Sequence, residues 1–456
     1  MSDTIAAIAT GGAVSAIGII RISGDRAIAI ADKVFRASNG ISLTAAENRR
    51  MYYGELADKE ERLIDLCLCT ITRGPDSYTG EDTAEFHCHG SPVVLSEGLR
   101  ALFSYGARHA EAGEFTKRAF INGRMDLTQA EAVIDLIEAE TPAAALNAAG
   151  QLRGSLGIRF DSVYNALLDL TAHFHAVIDY PDEDIDEFEM KDYQSVLQRA
   201  DDDLSQMLAT YARGRILREG IPTAIIGRSN TGKSSLLNAL LGYERAIVTQ
   251  IAGTTRDTIE EKILVDGVVL RLTDTAGLRK TNDTVEKLGI DRTLAALRGA
   301  GLAVLVLDGS EPLQSEDFEA LRAIPPGVPK IAAVNKSDLR HFIGREELSE
   351  LGIRYCRVSA LTGEGIGALE AEIKEMFPEL GTPPSGELIT NARQADAVSS
   401  ARNCIVHAIE ALRDSVTPDA VLMEVEAALT TIGEITGKTM REDIVTRIFE
   451  RFCVGK

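Results

Sequence analysis

From residue 221 to 377, short apolar runs rich in Val, Ile and Leu alternate with stretches of helical periodicity. The runs "IPTAIIG", "VVLRLTD", "LAVLVLD" and "PKIAAVN" read as buried strands. That alternation predicts a mostly parallel sheet covered by helices. The flanks follow a different pattern. Residues 127–215 carry a helical stripe that begins with Leu127, Ala130, Val133, Ile134 and Ile137, and Thr141-Pro142 has the cap and first-turn proline of a new helix. Thr417-Pro418 repeats that start signal, and beyond the loop "GTPPSGE" residues 391–450 again read as helices. The two flanks are expected to form one helical domain interrupted by the α/β segment. Residues 1–120 combine strand-like "GIIRISG" and "EFHCHG" with turn-rich "RGPDSYTGED", which predicts an α+β domain. The expected organisation is multidomain α/β, with segments 1–120, 121–218, 219–378 and 379–456, the second and fourth forming the all-α part.

Composition narrows the class. At 456 residues the chain suits three domains, each large enough to bury its own core. Runs such as "GLAVLVLDG" (301–309) fall short of the ~20 residues that cross a bilayer, and "MSDTIAAIATGG" lacks a basic leader, so a soluble, cytoplasmic protein without membrane partners is expected. The six cysteines include no C-x-x-C pair, which argues against a disulfide framework or a structural zinc site. A net charge of -21 disfavours broad attraction to nucleic acid, so any RNA contact is local or shared with a more basic partner. The acidic run "DYPDEDIDEFE" (179–189) reads as a solvated loop or helix end. In "HCHG", period-two alternation puts His87 and His89 on one strand face and Cys88 on the other, without the further ligands a zinc site needs. The terminal "CVGK" has the outline of a prenylation box but the wrong residues for one, and a frayed helix end is the simplest reading.

The strongest chemical signal is "GRSNTGKSS" (227–235), which follows a predicted strand and fits G-x-x-x-x-G-K-[ST]. Gly227 and Gly232 let the backbone turn its N–H groups towards a phosphate. Asn230, Thr231 and Ser235 complete the cradle, Lys233 pairs with the β/γ-phosphates and Ser234 ligates Mg²⁺. Two partners strengthen the pattern. "DTAG" (Asp274, Thr275, Ala276, Gly277) follows the next strand, with Asp274 for the magnesium shell and the Gly277 N–H for a γ-phosphate. "GTTRD" (253–257) lies between them and offers Thr255 as a second Mg²⁺ ligand.

"NKSD" (335–338) selects the base, because the Asp338 carboxylate accepts from the N–H and amine of guanine, whereas adenine faces it with a lone pair and a C–H. Asn335 braces the loop, Lys336 lies along the ring, Ser337 completes the loop, and "SAL" (359–361) resembles the last GTPase box, whose backbone, here at Ser359 and Ala360, contacts the guanine oxygen. The nucleotide is GTP, with GDP as product. Small GTPases place a water-positioning Gln directly after D-x-x-G, but here Leu278 stands there. Glu286 could act through a second water, or could be an ordinary first-turn acid complementing a helix dipole; spacing alone favours the dipole. Arg256 reads either as a finger or as a surface arginine.

Taken together, "GIIRISG", "GEDTAEFHCHG", "GEFTKRAFINGRMDLTQAEAV", the GTPase boxes, "GEITG" and "FCVGK" resemble the MnmE (TrmE) family of tRNA-modification GTPases along essentially the whole chain. The resemblance implies an N-terminal folate-binding domain that dimerises, a helical domain, and a Ras-like P-loop G domain inserted into the helical one. It also implies that Asn230, with Thr249, Ile251 and Thr254 of the loop 249–254 that also holds Gln250, Ala252 and Gly253, binds K⁺ in place of an arginine finger. Glu286 matches the family's catalytic glutamate, and Arg256 reverts to a surface arginine. The C-terminal tail is implied to return to a folate pocket, where Lys456 joins Arg21, Glu85 and Arg124 around 5-formyl- or 5,10-methylene-tetrahydrofolate. Cys453 becomes a candidate reactive thiol, with simple packing as its other reading. The implied partners are a second copy of the chain, tRNA, and the FAD protein MnmG in a heterotetramer that installs an aminomethyl or carboxymethylaminomethyl group on wobble uridine. Two positions depart from the family pattern: Ser229 stands where many members have Pro, and Arg124 where others have Lys. A ribosome-assembly GTPase would leave the N-terminal motifs unexplained, and a stand-alone aminomethyltransferase would leave the GTPase boxes unexplained.

Overall fold

The computed structural model describes residues 3–179, 190–243, 261–272, 297–381, 386–414, 417–440, 442–450, 452 and 454–455. The chain divides into two compact units, one of Met1–Ile134, Gln151–Asp201 and Ser400–Lys456, the other of Asp135–Gly150 and Asp202–Ser399. The acidic run predicted as a loop or helix end lies mostly outside the described residues.

In the first unit, strands β1 (Ile5–Ile8), β2 (Ser15–Ser23), β3 (Phe35–Ala37), β4 (Met51–Ala57), β5 (Leu63–Thr72), β6 (Thr83–Gly90) and β7 (Arg108–His109) form one sheet in the order β3-β4-β5-β6-β2-β1-β7. Neighbours are antiparallel except β1 and β7. Period-two alternation gives the sheet two chemically distinct faces. Ile20, Ile22, Cys67, Cys69, Ile71, Ala84, Phe86 and Cys88 point into a core closed by the helices Ala27–Val34 and Pro92–Ser104. The other face carries His87 and His89 together, as the alternation predicts, and exposes Ile17, Met51, Tyr53, Leu66 and Leu68. Burial pushes the Cys69 thiol well above its ordinary range, so it is an inert core thiol, and no metal-binding cluster exists among the described residues.

The predicted helical stripe is found in Leu127–Ile137, where Leu127, Ala130 and Val133 pack on Val445, Phe449 and Phe452. Ile137 departs from it and is half exposed. The Thr141-Pro142 signal starts a helix at Pro142, and the Thr141 Oγ1 accepts the Ala144 N–H at 3.1 Å. Thr417-Pro418 also starts a helix, Pro418–Thr436, but its Thr side chain makes no capping bond. The long helix Ser155–Asp179 packs against Pro418–Thr436. No described helix is long and apolar enough to cross a membrane.

In the second unit, β8 (Ile221–Ile226), β9 (Glu261–Val265), β10 (Val268–Leu272), β11 (Leu302–Asp308), β12 (Lys330–Asn335) and β13 (Arg354–Arg357) form a sheet in the order β13-β12-β11-β8-β10-β9. The four predicted strands are β8, β10, β11 and β12, all parallel, and every residue of β11 is buried, as expected for a central strand covered on both faces. The antiparallel edge strand β9 is an addition to the predicted sheet. Its signal is the Asp266-Gly267 pair: φ is 42° and 84°, both positive, as a two-residue hairpin turn requires. The architecture is multidomain α/β, as predicted.

Candidate functional site

The loop between β8 and the helix Lys233–Tyr243 is shaped by its glycines. A Cβ on Gly227 would stand 2.4 Å from the Val306 carbonyl oxygen, and one on Gly232 would stand 2.2 Å from the Asn335 amide nitrogen. Both have positive φ, so neither position admits a side chain. Asn230 is also left-handed, at φ 65°, a conformation that Asn tolerates better than most residues. Lys233 donates from Nζ to the carbonyls of Gly227 and Arg228 at 2.8 and 2.7 Å, curling over the loop it follows. Burial pushes its ammonium pKa down, which raises the value of an anionic partner such as a phosphate. Ser234 lies in the first turn of the helix, where N–H groups and the dipole favour anions.

The loop 335–338, expected from its sequence to select the base, is joined to this turn by one buried amide. Asn335 donates from Nδ2 to the Thr231 carbonyl at 2.9 Å and accepts the Ala360 N–H on Oδ1 at 3.0 Å. It thereby ties "NTGKS", "NKSD" and "SAL" into one assembly at the carboxyl ends of β8 and β12. The Ser337 N–H donates to the Val358 carbonyl at 3.0 Å, and Ser359 Oγ donates to Asp338 Oδ1 at 2.6 Å. Asp338 itself is exposed, with its carboxylate oriented by a buried serine. Lys336, left-handed at φ 66°, pairs with Asp308 at 2.5 Å. That pairing and the role of Ser359 as a brace for Asp338 are features the motif reading had not identified. Thr249, Gln250, Ile251, Ala252, Gly253, Thr254, Thr255, Asp274, Thr275, Ala276, Gly277 and Glu286 lie outside the described residues.

In the first unit, Arg21 on β2 and Glu85 on β6 are cross-strand partners, and their side chains pair at 2.7 Å. The Arg21 guanidinium also lies 5.5 Å from the Tyr78 ring and 5.6 Å from that of Phe115. Arg124 pairs with Asp76 at 3.7 Å, two residues before Tyr78. The tail reaches this region: Val454 bridges to Ala112, and a Cβ on Gly455 would stand 2.3 Å from the Ile8 carbonyl oxygen. Ile8 adjoins Ala7, the β1 partner of Arg21, so the tail backbone meets the sheet beside that arginine. The chain end is therefore docked, and the frayed-end expectation does not hold at Val454 and Gly455. Cys453 and Lys456 lie outside the described residues.

Beneath these residues runs an ionic network that sequence reading missed. Arg118 pairs with Asp3 at 2.8 Å, Glu81 at 3.0 Å and Glu114 at 2.9 Å, Arg108 grips Glu114 at 2.6 Å and also pairs with Asp3, and Ser23 Oγ donates to Glu81 at 2.8 Å. Burial alone would push the Glu114 carboxyl up, but donors from Arg108, the Glu111 N–H and Arg118 outweigh it and bring the pKa down to about 2. A depressed carboxylate contributes stability that is complete above its unfolded pKa and is lost as pH falls through the folded value. Acid titration followed by circular dichroism is expected to show the N-terminal sheet weakening from the ordinary carboxylate range down towards pH 2, with Glu114→Gln less stable at neutral pH and flatter across that window. An unchanged slope in the variant would remove Glu114 from the acid response.

Comparison with known proteins agrees with this layout. The family model for the GTP-binding protein TrmE N-terminus matches residues 4–124, and that for the MnmE helical domain matches residues 127–453. Proteins named tRNA modification GTPase MnmE from Clostridioides difficile, Thermoanaerobacter pseudethanolicus and Lysinibacillus sphaericus are 41%, 42% and 42% identical to this chain. Each alignment covers 100% of this chain and 99% or more of its relative. Matched end to end in this way, the chain belongs to the MnmE (TrmE) family.

Proposed function

We propose that this chain is a GTP hydrolase of tRNA modification, acting on wobble uridine of tRNA in the cytoplasm. The observation that carries the GTPase part is the Asn335 bridge, which ties the loop of 227–235 to the "NKSD" and "SAL" segments and supports reading them as one nucleotide site. In this reading the G domain spans 219–378, inserted between helical segments 121–218 and 379–456, after a folate-binding domain of 1–120.

By residue type and spacing in the sequence, the chain offers the groups the reaction needs, although Thr249, Ile251, Thr254, Thr255, Asp274, Glu286, Cys453 and Lys456 lie outside the described residues. The backbone of 227–235 and Lys233 take the phosphates, and Ser234 with Thr255 and Asp274 takes Mg²⁺. Asn230, with Thr249, Ile251 and Thr254, would hold K⁺, which would supply the positive charge that an arginine finger supplies elsewhere. Glu286 holds the attacking water, the task Leu278 cannot perform. Arg21 and Glu85 are already paired beside the docked tail, a fit for the pterin of a tetrahydrofolate derivative: the carboxylate reads N–H and amine, and Arg124 and Lys456 meet the acidic end. Cys453 is the candidate thiol for the one-carbon chemistry.

The exposed apolar patch of Met51, Tyr53, Leu66 and Leu68 on the neighbouring strands β4 and β5, with Ile17 beyond His89, supports a homodimer through the N-terminal sheet, because large apolar side chains clustered on one open face favour a partner over water. The partner in modification is the FAD protein MnmG, joined in a heterotetramer, and the product is aminomethyl- or carboxymethylaminomethyl-uridine. Potassium provides the direct test. Replacing K⁺ with Na⁺ is expected to cut GTP turnover towards the ~10³-fold or larger factor that an arginine finger supplies elsewhere. Equal rates in the two salts would defeat the ion assignment.

A further inference from the structure

The segment "LRHFIGR" (339–345) follows "NKSD" directly, lies within one compact unit, and has no part in the nucleotide site proposed above. Its backbone is pinned to the end of the sheet. The Leu339 N–H donates to the Lys336 carbonyl at 3.0 Å, and the Phe342 N–H donates at 3.0 Å to the carbonyl of Gly309, the residue after β11. Ile343 is 3% exposed and packs into the core with Val334, Leu348 and Leu351. Burying Ile343 leaves its neighbour Phe342 turned outwards, 50% exposed.

An exposed phenylalanine alone has no special meaning. Its surroundings give this one a chemistry. The Arg340 guanidinium stands 5.5 Å from the centroid of the Phe342 ring. Arg357 of β13 reaches the same loop, donating from Nη2 to the Ile343 carbonyl at 3.2 Å, and Arg345 opens the helix Arg345–Glu350 three residues beyond the ring. None of these three arginines has an ion-pair partner among the described residues, whereas Arg228 and Arg354 of the same unit are both paired. Two of the nearest carboxylates are engaged: Glu347 Oε2 accepts the Gly344 N–H at 2.7 Å, and Asp338 accepts from Ser359. Glu346 and Glu350 are exposed, so the free cations outnumber the free acids here.

We propose that Phe342, with Arg340, Arg345 and Arg357, is a contact surface for unpaired bases of tRNA. A base splayed out of a loop stacks on the open ring or on the guanidinium plane, and the flanking arginines meet the phosphates beside it. Helical RNA fits less well, because its bases are already stacked on one another. A π-face and phosphate-binding cations offered together favour RNA over an acidic protein partner. The net charge of -21 makes such a local cluster necessary, since the chain as a whole repels phosphate. The proposal rests on the reading of tRNA as substrate and adds to it a place where this chain touches the RNA.

Fluorescence anisotropy of a labelled, unmodified tRNA carrying a wobble uridine, titrated with the full chain, tests it. Phe342→Ala is expected to weaken binding by about tenfold, the loss of one stacked base, while GTP affinity and turnover stay within about twofold. Phe342→Trp is expected to keep wild-type affinity, and Arg340→Gln to make affinity less dependent on salt. A fully base-paired RNA duplex is expected to bind the wild-type chain and Phe342→Ala equally. Wild-type tRNA affinity in Phe342→Ala, an equal loss in Phe342→Trp, a wild-type chain that binds no tRNA, or a loss confined to binding of a protein would overturn the surface. Wobble uridine still fully modified in cells lacking the chain would instead overturn the tRNA reading on which the surface stands.

Discussion

Asp338→Asn is expected to weaken GTP binding by on the order of 100-fold or more and to turn preference towards xanthosine triphosphate. The carboxylate accepts two donors from guanine, whereas an amide places a donor opposite one of them and loses the charge that strengthens both bonds. Xanthine presents a carbonyl where guanine has its amine, so the amide donor that repels one base suits the other. The rest of the site is expected to survive the change. Ser359 can still bond an amide oxygen, and Asn335, not Asp338, joins the loop to the phosphate cradle. Competition of GTP and XTP for the variant measures the switch, and unchanged GTP selectivity would move base recognition away from Asp338.

Deleting residues 453–456 is expected to abolish uridine modification while GTP turnover remains near the wild-type rate. The separation follows from where the parts lie. The tail backbone docks at Ile8 and Ala112 beside the Arg21–Glu85 pair, all within the first compact unit, whereas Asn335, Lys233 and Asp338 belong to the second. Removing the tail takes away Lys456 and Cys453 and uncovers the end of β1, so under the proposed folate site tetrahydrofolate affinity is expected to fall together with modification. Cys453→Ser divides the two contributions, with modification lost and folate still bound if the sulfur takes part in the chemistry. Full modification in both variants would reduce the tail to a packing element.

The legible parts of the molecule were those where physics demands particular residues at fixed spacing. A strand buried on both faces has to be largely apolar, which is why β8, β10, β11 and β12 could be read directly despite single polar positions such as Thr223 and Arg271. A phosphate cradle needs glycines where side chains would collide, and a Cβ built on Gly227 or Gly232 would stand only 2.4 Å or 2.2 Å from a neighbouring atom. Strand β9 was also legible in principle from Asp266-Gly267, but a five-residue edge strand with charged residues at its start does not read as a buried run. β5 carries Leu66 and Leu68 on an open face, so its pattern reads as neither a buried nor a half-buried strand until a partner for that face is considered.

The Arg118 network and the Asp135–Arg218 ion pair were out of reach for a different reason. Each is an ionic arrangement among residues distant in sequence, such as Asp3 with Arg118 or Asp135 with Arg218, and charged residues at such positions are indistinguishable from solvated ones until the fold brings them together. Ser359 shows the same limit on a smaller scale. Its motif marked it as a base-site residue, but only the 2.6 Å bond reveals that it aims Asp338.

The central claim, that GTP turnover by this chain serves the modification of wobble uridine, is tested most directly by mass analysis of wobble uridine in tRNA from cells lacking the chain. Such cells are expected to carry unmodified uridine, with the aminomethyl or carboxymethylaminomethyl group restored by the wild-type chain and not by Asp338→Asn at ordinary GTP concentrations. Wobble uridine that is fully modified without the chain, or restored equally by the variant, would contradict it.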